Sequence, residues 1–253
     1  MKIDLYKAHS EDILPKIESK SIDLICADLP YGITKDKKLD LDLLFKEYNR
    51  IIKDHGTIAL FCQGKFYVDL VNANYKYFRY DIIWNKMLKG GFLNARRQPL
   101  RIHEQIAIFY KKQNKYNPQF KEGKPLHGLG TKYKTDKNPT NRNFNKFDRS
   151  VLEDSRKGST EKFPSSIWEF QKVSANKLVH RTEKSIELLK EIILTYTDIG
   201  DTVLDNTMGS GSCGVACGLT NRNFIGIENN SDDKMAFEKA LQRMWIYVPN
   251  VFS

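Results

Sequence analysis

Two rhythms of apolar positions run along this chain. The run Ile22 to Ala27, apolar apart from Asp23, reads as a strand buried on both faces of a parallel sheet. Leu41, Leu44, Phe45, Tyr48, Ile51 and Ile52 follow at helical spacing and predict an amphipathic helix, with a strand over Gly56 to Cys62. A short helix from Lys65 to Ala73 and strands at Ile82 to Trp84 and Gln105 to Tyr110 complete this half. The far half repeats the alternation. Ile186, Leu189, Ile192, Ile193 and Tyr196 mark one face of a helix for which Thr182 is the expected N-cap. A strand ending at Asp205, a small-residue helix over Cys213 to Leu219 and a strand from Asn223 to Glu228 come next. A last helix, Asp233 to Trp245, is expected to bury Met235, Ala236, Ala240 and Met244 along with the stem of Lys239. Strands alternating with helices predict a doubly wound α/β fold with a mostly parallel sheet.

Chemistry collects where the predicted strands end. Asp28-Leu29-Pro30-Tyr31 stands at the carboxyl end of the first buried strand. Such a tetrad can hold a planar exocyclic amine: Asp28 accepts one hydrogen bond, a backbone carbonyl beside Pro30 accepts another, and Tyr31 stacks on the ring. The second cluster is Asp205-Asn206-Thr207-Met208-Gly209-Ser210-Gly211, followed by a helix and a strand that closes on Glu228-Asn229. A strand, a glycine turn, a helix and a second strand ending in an acid about 20 residues on is the layout of a nucleotide-type cofactor site, the acid serving ribose hydroxyls. An ordinary glycine turn in a βαβ unit is the blander reading, and Asp205 and Glu228 together favour the cofactor.

These motifs carry a resemblance. The tetrad is similar to the D-P-P-Y motif of base amino-methyltransferases, with Leu29 replacing a proline. His180-Arg181-Thr182-Glu183-Lys184-Ser185 resembles the H-P-T-x-K-P segment of the same enzymes, with Arg181 and Ser185 replacing prolines. The stretches Tyr80 to Lys86, Gly90 to Arg101 and His103 to Lys111 resemble bacterial and phage adenine methylases. The chain is thus identified as a member of the site-specific DNA amino-methyltransferases, in the permuted motif order of their beta class.

The resemblance implies a Rossmann-like core with one antiparallel strand, the one at Gln105 to Tyr110. It implies S-adenosylmethionine held by His180, Thr182, Lys184, Asp205, Asn206, Thr207, Gly209, Gly211, Glu228 and Asn229. It also implies catalysis at Asp28, Leu29, Pro30 and Tyr31 on a base flipped from double-stranded DNA. In that order of motifs the strand ends carrying Asp28 and Asp205 are expected side by side at the switch point of the sheet. Aspartate at the first motif position points to adenine N6. Cytosine N4, an RNA amine and a catalytically inactive DNA-binding relative are the alternatives. A homodimer and a cognate restriction endonuclease are partners that the class raises.

Composition sharpens this reading. The net charge is +10, and the segment from Lys111 to Phe163 alone holds 14 basic against 6 acidic residues. That segment is interleaved with aromatic rings and shows poor hydrophobic periodicity, as expected of a DNA-contacting insert. Lys121, Lys124, Lys132, Lys134, Arg142 and Lys146 are its candidate phosphate contacts, joined by Arg96, Arg97 and Arg101. The organisation expected is a catalytic half (1–111), a basic target-recognition insert (112–165) and a cofactor half (166–253). The four cysteines form no C-x-x-C pair, and the five histidines lack metal-ligand spacing, so reduced core thiols and no metal are expected. No apolar run approaches a membrane span, and no signal segment opens the chain, which points to a cytoplasmic protein.

Overall fold

The structure is a computed structural model describing residues 1–30, 39–125, 158–172, 183–230 and 234–248. Residues 1–117 and 165–253 form one unit, and residues 118–164 a second. In the larger unit, β1 (Ile3–Lys7), β2 (Ile22–Ala27), β3 (Ile52–Cys62), β4 (Phe78–Gly90), β5 (Arg101–Phe109), β8 (Ile167–Glu169), β9 (Thr202–Asp205) and β10 (Asn223–Glu228) share a single sheet. Its order is β1-β10-β9-β2-β3-β5-β4-β8. All neighbours are parallel except β5, which runs antiparallel to both β3 and β4.

Strict alternation sends apolar side chains to both faces. Ala59 and Phe61 of β3, Ile106 and Ile108 of β5, and Val203 of β9 enter one cluster, with helices α4 (Ile186–Tyr196), α5 (Ser212–Leu219) and α6 (Ala236–Tyr247) supplying its cover. Ile58, Leu60 and Cys62 of β3, Ala107 and Phe109 of β5, and Leu204 of β9 enter the other. Helices α1 (Ser10–Ile13), α2 (Leu41–Ile51) and α3 (Gly64–Ala73) cover that face through Ile13, Leu44, Phe45, Tyr48 and Leu70. Burial on both faces explains why the strands read as continuous apolar runs rather than alternating ones.

The expected elements are found, with informative differences. Helix α2 ends at Ile51 because Ile52 turns extended (φ −70°, ψ 136°) and starts β3. Helix α4 begins after Ser185, so Thr182 is not its N-cap. Met235 lies before α6 and is 53% exposed, whereas Ala236, Ala240 and Met244 are buried as expected. Strands β1 and β8 are additions that the periodicity reading did not foresee. All four cysteines are free and buried. No helix among the described residues is long and apolar enough to cross a membrane.

Part of the basic segment belongs to the core. Lys112 pairs with Asp54 at 3.0 Å, Lys115 pairs with Asp198 and Asp201, and the Lys111 ammonium donates to the Asn49 carbonyl at 2.6 Å. In the smaller unit, β6 (Lys121–Glu122) pairs antiparallel with β7 (Glu161–Lys162). Lys121 then faces Lys162 and Glu122 faces Glu161, like charges that oppose pairing. The Phe120 and Phe163 rings, 4.9 Å apart, offset this beside the ribbon.

Candidate active site

Adjacent strands β2 and β9 lead into connections that diverge: β2 continues through α2 to β3 on one side, and β9 through α5 to β10 on the other. Crossovers of one hand must then run over opposite faces, and a crevice opens at the carboxyl ends of β2 and β9. Asp28 and Asp205 both reach this crevice. Thr207 ties the two strand ends together: its hydroxyl lies 3.2 Å from the Asp28 carbonyl oxygen, and its amide donates to Asp205 Oδ1 at 3.1 Å.

On the β2 side, Asp28 is held by a lysine. Lys184 Nζ lies 2.7 Å from Asp28 Oδ2 and 3.2 Å from Glu104 Oε2, and Lys86 Nζ reaches Glu104 Oε1 at 3.1 Å. The Lys184 ammonium also sits 4.9 Å from the centre of the Phe61 ring and 5.8 Å from that of Trp84. Burial alone would push Lys184 down, but Asp28 and Glu104 outweigh it and hold the ammonium above the ordinary lysine range. Leu29 is 2% exposed and packs in the core with Leu204 and Ile227, whereas Pro30 is exposed. The Leu29 side chain, expected in the catalytic tetrad, thus packs into the core. Its outlook onto the core explains why leucine is accepted there. Tyr31 lies outside the described residues.

On the β9 side the chain makes a sharp turn. Gly209 and Gly211 adopt positive φ (52° and 75°), and Gly211 is the N-cap of α5. A Cβ at Gly211 would meet Ala240 Cβ and Met244 Cε at 2.9 Å, so this glycine admits α6 as well as the turn. Glu228 fixes the turn from the next strand. Its Oε2 accepts from the Gly209 amide at 2.9 Å and its Oε1 from the Asn230 amide at 2.8 Å. A carboxylate has about four acceptor directions, so capacity remains for ligand hydroxyls. Arg243 of α6 braces the same turn, donating to Ser212 Oγ at 2.9 Å and Ser210 Oγ at 3.2 Å while pairing with the buried Glu183.

Three carboxylates thus converge at the ends of neighbouring strands. Burial pushes Asp205 up to about 7, and Asp28 and Glu228 add to the rise against the Thr207 amide. A site of this kind favours a ligand bringing positive charge together with hydroxyl donors. A sulfonium nucleoside with an amino-acid tail fits that demand.

Other expected site residues fall in varied places. Asn206 is 3% exposed and its side chain is engaged internally, accepting from the Tyr48 hydroxyl and donating to Ser10 Oγ at 3.2 Å. Asn229 contacts His9 at 3.1 Å. Lys184, expected at the cofactor, pairs with Asp28 at the crevice. Arg96, Arg97 and Arg101 are exposed on the connection from β4 to β5 and the start of β5, and Lys121 and Lys124 are exposed in the smaller unit. His180, Thr182, Lys132, Lys134, Arg142 and Lys146 lie outside the described residues.

Glu104, Lys86 and Arg243 were missed. A signal existed for two of them: Glu104 is in phase with buried Ile106 and Ile108, and Lys86 with buried Ile82 and Trp84. Thiol chemistry is set aside by the cysteines themselves. Burial pushes Cys62 up to about 12, and Cys26 and Cys213, hydrogen-bonded to a neighbouring thiol and buried, lie well above the ordinary thiol range.

Known proteins resemble this chain in sequence and in fold. A family profile described as DNA methylase, covering N6 and N4 methyltransferases, matches residues 22–239. Type II methyltransferase M.HpaI of Haemophilus parainfluenzae is 31% identical over 238 residues, covering 87% of this chain and 68% of its own. DNA adenine methyltransferase YhdJ of Escherichia coli K12 is 28% identical over 241 residues, covering 87% of this chain and 76% of its own. Among solved structures, the M1.HpyAVI–SAM complex superposes with a TM-score of 0.61 at 22% identity, covering 95% of this chain and 99% of its own. The cytosine-N4-specific PvuII DNA methyltransferase superposes with a TM-score of 0.67 at 13% identity, covering 99% and 93%. With the strand-end carboxylates and the glycine turn in place, the chain belongs to the N6/N4 DNA methylase family and is a DNA amino-methyltransferase that uses S-adenosylmethionine.

Proposed function

We propose that this enzyme methylates the N6 amine of adenine in a base flipped out of double-stranded DNA. The observation that carries the reading is Asp28, held at Oδ2 by Lys184 beside the carboxylate-lined glycine turn. Aspartate as the first residue of the tetrad and the adenine methyltransferase among the relatives support the choice of base.

S-adenosylmethionine supplies a methyl group on a positively charged sulfur, electrophilic enough to need no further activation. Glu228 is assigned to its ribose hydroxyls and Asp205 to its positive charge, on a turn set by Gly209, Gly211 and Thr207. Asp28 receives an N–H of the base amine and aims the nitrogen. Its carboxylate takes the proton that becomes acidic as the nitrogen gains charge. Positioning and electrostatic stabilisation then supply the acceleration. Extruding the base costs a few kcal/mol, which stacking on Tyr31 and the amine hydrogen bonds offset. Arg96, Arg97 and Arg101 are assigned to DNA phosphates, and Lys121 and Lys124 to the target-recognition unit with Lys132, Lys134, Arg142 and Lys146.

DNA copied with N6-methyl-dATP or with N4-methyl-dCTP tests the base directly. Labelled methyl should enter only the DNA whose adenines are unmodified. Uptake only by DNA with blocked adenines would transfer the reading to cytosine, and uptake only by added RNA would remove DNA as the substrate.

Asp205 gives the enzyme a pH signature. Its carboxyl is about half protonated at neutral pH in the free protein. A cationic cofactor binds the ionised form better, so affinity should rise as pH increases through about 7 and level off above it. Binding at pH near 6 should release a proton, visible by calorimetry in buffers of different ionisation enthalpy. Pure desolvation by the cofactor would reverse the sign.

A further inference from the structure

Four charges line up behind the proposed amine site. Lys86 ends the core-facing row of β4 after Ile82 and Trp84, and Glu104 begins the core-facing row of β5 before Ile106 and Ile108. Pairing of Gln105 with Cys62 puts Glu104 just past the carboxyl end of β3, level with the crevice. From there the row runs Lys86, Glu104, Lys184, Asp28, with contacts of 3.1, 3.2 and 2.7 Å. The side chains are 13%, 12%, 13% and 22% exposed, so each charge has lost most of its water.

Stability does not explain such a row. Replacing buried ion pairs with packed apolar groups is often neutral or stabilising. Its retention at the strand ends, against the residue that meets the substrate, needs a different reason. Lys184 is long and flexible, and the faces of Phe61 and Trp84 limit its path without fixing its depth. Glu104 does fix it, because the ammonium must bridge Glu104 Oε2 and Asp28 Oδ2 together. Lys86 in turn holds the other oxygen of Glu104.

We propose that Glu104, backed by Lys86, is a positioning residue for methyl transfer: it seats the Lys184 ammonium against Asp28 and so sets the carboxylate that receives the base amine. The proposal rests on the reading of Asp28 as that acceptor. The electrostatics agree with the geometry. Burial would raise the Glu104 carboxyl, yet Lys184 and Lys86 hold it below the ordinary range. Among the described residues, the titratable groups facing Lys184 are Asp28 and Glu104, with Lys86 behind Glu104 and Cys62 nearby as a neutral thiol. Without the Glu104 charge, the desolvation of Lys184 is opposed by Asp28 alone, and its pKa falls.

Glu104→Gln keeps shape and removes charge. Single-turnover methylation of genomic DNA at saturating cofactor should slow about 100-fold, the scale of a reacting group misplaced by about 1 Å. Affinity for S-adenosylmethionine should stay within about 3-fold, because Glu104 faces the amine side. The variant should also lose activity as pH rises into the alkaline range, where the wild type stays flat, because Lys184 then gives up its proton more readily. Lys86→Met should reproduce the slower transfer more weakly, by about 10-fold, and serves as the second variant if Glu104→Gln fails to fold; Lys86→Arg should restore the rate. A Glu104→Gln enzyme within about 3-fold of wild type and flat in pH would overturn the proposal, as would a rate loss matched by equal loss of cofactor affinity. Asp28→Ala in the same assay separates the two readings. If it is inactive while Glu104→Gln is normal, only Glu104 loses its role; if it is active, Asp28 loses its role and Glu104 falls with it.

Discussion

Asp28→Ala should reduce methyl transfer about 1000-fold or more while S-adenosylmethionine affinity stays within a few-fold. The separation follows from the crevice. The Asp28 side chain pairs with Lys184, whereas Glu228 pairs with the amide of the glycine turn, and Thr207 joins the Asp28 backbone carbonyl to the β9 end. Removing the carboxylate takes away the acceptor that aims the amine and neutralises its developing charge. It also leaves the Lys184 ammonium with Glu104 as its remaining carboxylate partner. Asp28→Asn separates the two effects, since the amide keeps the shape and an acceptor oxygen but not the charge. A pre-steady-state time course with cofactor titration reads both variants, and turnover at the wild-type rate in Asp28→Ala would refute the role.

Glu228→Ala should act in the opposite way, weakening cofactor binding about 100-fold and slowing bound-state transfer far less. Two amides, of Gly209 and Asn230, lose their acceptor, and charge-assisted hydrogen bonds are worth about 1.5–3 kcal/mol each. The turn loosens at the point where ribose hydroxyls are proposed to bind. Glu228→Gln keeps one acceptor oxygen and should fall between the two. An unchanged dissociation constant for Glu228→Ala by calorimetry would remove Glu228 from the cofactor site.

The sheet was legible in the sequence because its strands are buried on both faces. Runs such as Ile22 to Ala27 and Asn223 to Glu228 cannot be mistaken for solvated segments, and β2, β9 and β10 lie where their apolar runs predicted. Strands β1 and β8 escaped because Ile3–Lys7 is half polar at a sheet edge and Ile167–Glu169 is three residues long. The positions of Asp28, Asp205 and Glu228 were legible for a related reason: strand ends at a switch point are where polar groups collect.

Side-chain partners were less legible, because spacing along the chain does not encode distance across it. Lys184 read as a cofactor contact from the motif it belongs to, and its pairing with Asp28 and Glu104 was not legible there. Asn206 read as a ligand contact, and its hydrogen bonds to Tyr48 and Ser10, partners 158 and 196 residues away, were not foreseen. Glu104 and Lys86 did leave a trace, as charges in phase with a buried row. A charge in such a phase marks the point where a core face becomes a site.

The most direct measurement is nucleoside analysis by mass spectrometry of unmethylated bacterial DNA after incubation with the enzyme and S-adenosylmethionine. N6-methyladenine, formed by the wild type and absent with Asp28→Ala, is the result expected. N4-methylcytosine in its place, or N6-methyladenine formed equally by both proteins, would contradict adenine methylation at Asp28.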